Sequence, residues 1–396
     1  MGTNAIWNHD LYDGPAGKRN LITDVPGVRV GHVTLRSPDG AAPAIRTGVT
    51  AIVPPGDCFA SKLPAAAYVS NGFGKSMGLV QVGELGSLET PILMTNTLSC
   101  GACFDALVDH ALAAHPAIGV DTGTVNPVVM ECNDGPINSI RARAVTPAHG
   151  LEAIAAAGED FDEGDVGAGT GMTCFGLKGG VGSASRVVRV DGRDHVIGVL
   201  TLTNFGSREC LRLDGEPVGL HLAEAERIAS ASISAADGDG DGDGTAAGNA
   251  GGEDKGSIVA VIATDLPVDS RQLRRMAKRV TVGIARCGGY IGNGSGEIVV
   301  AFSTANRIDH WAGDDLTKPS DHPTPAGGPL VETVTRLNEN AMDRCFRAVA
   351  AASEEAIVSS LLHAHGVRGR DGKVTPSLRD ALRDAGLALP ESLAEA

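Results

Sequence analysis

The feature that most constrains this chain is a polar tract lodged in its interior. Residues 234–256 read SAADGDGDGDGTAAGNAGGEDKG, with no aliphatic side chain larger than alanine, and run straight into Ser257 and the apolar stretch IVAVIATDLPV. Gly/Asp sequence of this kind behaves as a flexible linker. The chain is therefore expected to fold around an internal interruption, with a buried strand beginning where the linker stops. At 396 residues the length allows two or three domains at roughly 150 residues each, but an α/β chain of this size also fits one compact unit. One domain over 1–396 is the expectation.

With 42% hydrophobic and 20% charged residues, the sequence can bury a sizeable core. Aromatic residues make up only 3%, while 53 residues are glycine and 20 proline. The core must be Ala, Val, Ile and Leu, with backbone approaching closely at glycine. A net charge of −15 argues against nucleic acid or an anionic membrane as partner, since both require clustered Lys and Arg. No apolar run is long enough to span a bilayer. The opening MGTNAIWNHDLYDG lacks the basic and apolar regions of a secretory signal, so a cytoplasmic location is expected. Cys58, Cys100, Cys103, Cys132, Cys174, Cys210, Cys287 and Cys345 are scattered, and only Cys100 and Cys103 form a CxxC. Without a second ligand pair nearby, reduced buried thiols fit better than zinc.

Along the chain, 21–35 reads as short strands about a Pro-Gly turn, and 47–54 as a strand. Helical spacing covers Thr97–Ala114, and a helix over 147–157 is expected to start at Thr146 with Pro147 at its first position. The glycine-rich stretch 166–183 has no clear period and reads as a loop or strand pair. A buried strand at 195–203 ends at Asn204. Beyond the linker come the strand from Ser257, an amphipathic helix over 270–287, a strand at 297–303, one or two helices over 330–363, and a short helix from Thr375 to Ala385. The alternation implies an α/β or α+β class.

Several chemical motifs nearly match and fail. Gly74-Lys75-Ser76 lacks the first glycine of a P-loop, since Val69 stands there. Gly167, Gly169 and Gly171 do not complete GxGxxG, because position 172 is Met. The Asp237/Asp239/Asp241 ladder lacks the closing Glu of a calcium loop, where Gly248 stands. Gly74-Lys75-Ser76-Met77-Gly78 matches G-x-S-x-G, but LVQVGEL after it looks extended, whereas an elbow serine needs a helix there.

The junction Gly256-Ser257 carries more chemistry. Glycine permits unusual backbone angles, and a strained Gly–Ser bond is open to attack by the Ser257 hydroxyl. Cleavage would give 1–256 and 257–396. A free α-amine titrates near 7.7–8.0 against about 10.4 for lysine, so an N-terminal serine carries its own general base beside its nucleophile. The 11 histidines form no catalytic arrangement in the sequence, which suits a base of this kind.

At these residues the chain resembles the L-aminopeptidase/D-esterase and β-peptidyl aminopeptidase family, autoprocessing N-terminal nucleophile hydrolases distantly related to nylon-oligomer hydrolases. The likeness runs through ITDVPGVRVGHVTL (22–35), VGELGSLETPILMTNTLS (82–99), PVVMECNDG (127–135), GAGTGMTCFGLKGGVGSASR (167–186), TNFG (203–206), GSIVAVIATDLPV (256–268) and NGSGEIVVAFST (293–304). The resemblance implies a four-layer α/β/β/α sandwich and a tetramer of cleaved pairs, with no metal or organic cofactor. It implies Ser257 as nucleophile with its amine as base, and Ser295 and Glu297 as the residues orienting both. Asn204 matches the oxyanion donor, Glu131 the carboxylate holding the substrate's free amine, and Lys178 a lysine of the nylon-hydrolase relatives. Asn133 stands where the family carries a tyrosine that serves as a second oxyanion donor. The substrate implied is a small peptide, amide or ester with a free amine. The rival readings are an amidase for another small amide, such as a linear oligoamide, and an uncleaved binding protein on the same scaffold.

Overall fold

The computed structural model describes residues 14–236, 256–311 and 330–393. Two β-sheets lie face to face, each covered on its outer side by helices. The first sheet has the order β1 (Arg29–Arg36), β2 (Arg46–Val53), β4 (Ile92–Asn96), β5 (Val128–Cys132). The second runs from a two-residue edge strand at Ile308–Asp309 through β3 (Ser61–Gly72), β9 (Gly296–Ser303), β8 (Ser257–Thr264) and β7 (Arg193–Asn204) to β6 (Val181–Val190). Two neighbouring pairs are parallel, β4 with β5 and β8 with β9. Parallel neighbours need a crossover. In the first sheet it contains α2 (Cys100–Ala114), and in the second α5 (Ser270–Ala277) and α6 (Val280–Arg286). The shorter helix α1 (Leu79–Leu85) follows β3, while α3 (Pro147–Ala155) packs beside α2 on the first sheet. The helix α4 (Val218–Ala236) follows β7, and α7 (Met342–Leu362) and α8 (Leu378–Asp384) complete the second face.

The four layers follow from period-two patterning in strands buried on both faces. Along β8, Val259, Val261 and Ala263 enter the core between the sheets, while Ile258, Ala260 and Ile262 enter the core under α5–α7. Ile298, Val300 and Phe302 of β9 face the inter-sheet core, and Val299 and Ala301 the helical side. A third cluster, with Val49, Leu93 and Val129 against Leu107 and Ile154, seals α2 and α3 to the first sheet. The sandwich is therefore the one expected.

Four local expectations change. The 270–287 segment breaks into α5 and α6 around Lys278 and Arg279, because α5 is capped by Asp269, whose side chain accepts from Gln272 N, and its direction is set by that box. Residues 330–338 are not helical; regular helix begins with the turn Glu339–Ala341 and α7. The last helix starts after Ser377, whose hydroxyl accepts from Asp380 N, and not at the earlier Thr-Pro. The segment after Ser76 is the helix α1, held between Gly78 and Gly86 at φ 84° and 66°, and not extended. The expected linker start at 234 is also early, since α4 runs through Ala236. The Asp-Gly ladder at 237–244 lies outside the described residues.

Candidate active site

Ser257 is the first residue of β8, a central strand. Asn204, the last residue of β7, is its partner on one side, and Gly296, the first residue of β9, on the other. Three strand ends thus put an amide, a hydroxyl and a backbone N–H in register. The Gly296 N–H reaches Ser257 Oγ at 3.2 Å and the Gly256 carbonyl oxygen at 3.3 Å, so one donor touches both the hydroxyl and the carbonyl of the Gly–Ser peptide. Gly256 does not occupy the left-handed region. Glycine is needed there for space: a Cβ would strike the Asn204 carbonyl oxygen and stand 2.5 Å from Phe205 Cα.

Ser295 and Glu297 flank Gly296. Both are buried, and the Ser295 hydroxyl donates to Glu297 Oε1. Asn71, near the end of β3, holds this corner by donating from Nδ2 to the carbonyls of Gly292 (2.9 Å) and Ser295. Asn204 is oriented from both ends of its amide. Its Oδ1 accepts from Thr173 N at 3.0 Å, and its Nδ2 donates to the Asn133 carbonyl at 3.0 Å. An amide nitrogen carries two protons, so one remains for a further acceptor.

Glu131 and Asn133 lie at the far end of β5, in the opposite sheet. The two sheets meet at Cys132, whose Sγ donates to the carbonyls of Leu202 and Ser257, both at 3.5 Å. Burial raises that thiol well above its ordinary range, so it stays protonated as a donor. Glu131 is 3% exposed. Its Oε1 accepts from Lys75 N at 2.7 Å and its Oε2 from the Thr97 hydroxyl. Among the described residues no cation pairs with it. The loop after β3 links this carboxylate to Ser257: a Cβ at Gly74 would stand 3.5 Å from Glu131 Oε1, and one at Gly296 would stand 2.9 Å from the Phe73 carbonyl oxygen and 3.2 Å from Ser257 Oγ. Asn133 is exposed, and its Oδ1 accepts from Gly135 N at 2.9 Å.

Lys178 stands apart from this group. It is fully buried and donates to the carbonyls of Gly169 and Met172, both at 2.8 Å, and of Gly179. Burial lowers its pKa to about 7, while the three carbonyls around its three protons favour the ammonium. It fastens the glycine-rich segment that carries Thr173. Ser76, the rejected elbow serine, has a buried Oγ without a hydrogen-bond partner among the described residues.

Sequence reasoning assigned no role to Thr97, Asn71 or Thr173. Thr97 sits in the quoted TNTLS segment and Asn71 near the end of β3, but a lone hydroxyl or amide reveals its partner only in three dimensions.

The profile of peptidase family S58 matches residues 20–375. The chain belongs to peptidase family S58. It is similar to the beta-peptidyl aminopeptidase BapA of Sphingosinicella microcystinivorans, at 39% identity over 366 residues, covering 91% of this chain and 86% of that protein. Among solved structures it resembles the PH0078 protein of Pyrococcus horikoshii OT3, with TM-score 0.79, 45% identity, and 95% and 97% of the two chains covered. It also resembles the L-aminopeptidase D-Ala-esterase/amidase of Ochrobactrum anthropi, with TM-score 0.77, 32% identity, and 95% and 97% covered. That protein is described as a prototype of the serine aminopeptidases and a variant of the Ntn-hydrolase fold. As a member of family S58 the chain is a hydrolase of the aminopeptidase class, with the Ntn-hydrolase type of sandwich. Among its described residues no helix is long and apolar enough to cross a membrane.

Proposed function

We propose that this family S58 chain cleaves itself between Gly256 and Ser257 and then removes N-terminal residues from small peptides, amides or esters through an acyl-enzyme on Ser257. The observation that carries the reading is the convergence at one sandwich end. Ser257 lies between Asn204 and Gly296, Ser295 and Glu297 are bonded beside it, and a buried carboxylate without a cation, Glu131, lies across the inter-sheet gap.

In the uncut chain the Ser257 nitrogen is an amide and cannot act as a base. Attack of Oγ on the Gly256 carbonyl carbon breaks the Gly–Ser C–N bond and forms an ester. Water hydrolyses that ester, leaving a Gly256 carboxylate and a free Ser257 amine. The Gly296 N–H stands where it can stabilise the carbonyl oxygen as charge develops. In turnover the new α-amine takes the Oγ proton as Ser257 attacks the substrate carbonyl, and returns it to the departing amine or alcohol. Asn204, with its second N–H, serves the oxyanion, and Asn133 is the candidate second donor. Ser295 and Glu297 position the amine. Glu131 holds the substrate ammonium, because a buried carboxylate favours a cationic partner. Lys178 acts at one remove, through Thr173 and Asn204. The reading also includes a cytoplasmic setting, supported by eight free thiols, and the homotetramer of cleaved pairs that the family resemblance implies.

The deciding experiment is the intact mass of the purified protein beside a Ser257→Ala control. We expect fragments 1–256 and 257–396 in the wild type and one chain in the variant. A single chain in both would leave Ser257 without its base and favour a binding protein on the same scaffold. Fragments without turnover of any free-amine substrate, but with turnover of a blocked amide, would favour the amidase.

A further inference from the structure

We propose that Thr97 is the third acceptor of an ammonium pocket and makes the site selective for primary over secondary amines. The proposal rests on the reading of Glu131 as the carboxylate that holds the substrate amine.

The pocket can be counted out in lone pairs. Each carboxylate oxygen of Glu131 has two acceptor sites. Lys75 N–H takes one on Oε1, and the Thr97 hydroxyl takes one on Oε2. One site remains on each oxygen. Thr97 gives its proton to Glu131, so its own oxygen keeps two lone pairs, and no donor among the described residues meets them. Both groups that touch the carboxylate are neutral, which leaves the buried negative charge to be matched by what binds. A primary ammonium carries three N–H donors, against acceptors on Oε1, Oε2 and Thr97 Oγ1. A secondary ammonium carries two.

Thr97 is held firmly enough to discriminate. It opens the turn Thr97–Ser99, whose second N–H, that of Leu98, is capped by Asn96 Oδ1 at 3.1 Å. Asn96 is fixed in turn, with Nδ2 donating to Thr47 Oγ1 at 2.8 Å. Thr97 is half-buried where Glu131 is buried, so the threonine is the more accessible of the two.

The test compares α- and β-amino acyl p-nitroanilides carrying a free amine with their N-methylamine counterparts, on wild type, Thr97→Val, Thr97→Ser and Glu131→Gln. Valine keeps the volume of threonine and loses the hydroxyl; Thr97→Ala replaces it if the valine variant melts early. We expect wild type to prefer the primary amine by about tenfold or more in kcat/KM. Thr97→Val should raise KM for the primary amine by about ten- to a hundredfold, the effect of losing a hydrogen bond to a charged group. Its preference over the N-methyl substrate should shrink to within about threefold. Thr97→Ser should restore both. Thr97→Val keeping the wild-type preference, or Thr97→Ser behaving as Thr97→Val, would overturn the third acceptor. Glu131→Gln separates the two readings. An unchanged KM for free-amine substrates in that variant removes the carboxylate's role and the pocket together. A raised KM there, with no effect at Thr97, removes Thr97 alone.

Discussion

Glu163 shows how one buried residue sets a pH response away from the chemistry. It lines a cavity of about 210 Å³ with Asn20, Ser183, Ser359 and His363, at the edge of the second sheet. Its Oε1 accepts from Ser183 N and from the Ser359 hydroxyl, and His363 Nδ1 lies 3.6 Å from Oε2. Burial, helped slightly by the Glu355 charge, pushes its pKa up to about 8. The folded state therefore holds a proton that the unfolded chain releases near 4.5. Stability from this group is complete below that pH and is lost as pH rises towards 8. Glu163→Gln keeps an acceptor for both donors and removes the titration. It should flatten the stability profile between pH 5 and 8 and raise stability at pH 8 by about 1–3 kcal/mol, read from urea unfolding at both pH values. At this scale the sequence was legible where residue type and context coincide. Ser257 stood out because a hydroxyl follows a linker and opens a strand. Thr97 and Glu163 did not, because their behaviour comes from which oxygens and nitrogens surround them.

Among the elements, β6 and α7 are joined by a buried ion pair. Arg186 on β6 donates to Glu355 on α7, whose other oxygen accepts from Asn20 Nδ2 at 2.7 Å. Removing one partner strands the other charge in a dry interior. Arg186→Met should cost about 3–5 kcal/mol in urea unfolding, more than Glu355→Met and Arg186→Met made together. Most elements were legible from their patterning. The strands β2, β7 and β9, the start of β8, and the helices α2 and α3 fall within a residue or three of their expected limits, since each pattern agrees with its burial. The misses came where local signals were outvoted. The expected 270–287 helix is interrupted where two short helices must follow the sheet, and α1 was hidden in a run whose apolar residues, Leu79 and Val80 above all, do not mark one buried face.

For the whole molecule, the layered sandwich was legible through family resemblance more than through periodicity, because pairing order depends on contacts far apart in sequence. The register has one consequence for the proposed cut. β8 and β9 belong to the later piece, yet they sit between β7 and β3 of the earlier one. After cleavage the two pieces share a single sheet and the apolar core behind it. They should co-elute from size exclusion at neutral pH and separate only in denaturant; elution of free 257–396 under native conditions would contradict this.

That interleaving also changes what unfolding means for the molecule. Before the cut, refolding is a unimolecular search in which β8 returns to partners tethered on the same chain. After it, β8 and β9 together would have to find β7 and β3 on a separate molecule, and the route home would become second order and dilution-sensitive. The working life of an enzyme cut at the proposed site would then be set by how slowly the sheet opens, and not by an equilibrium between folded and unfolded forms.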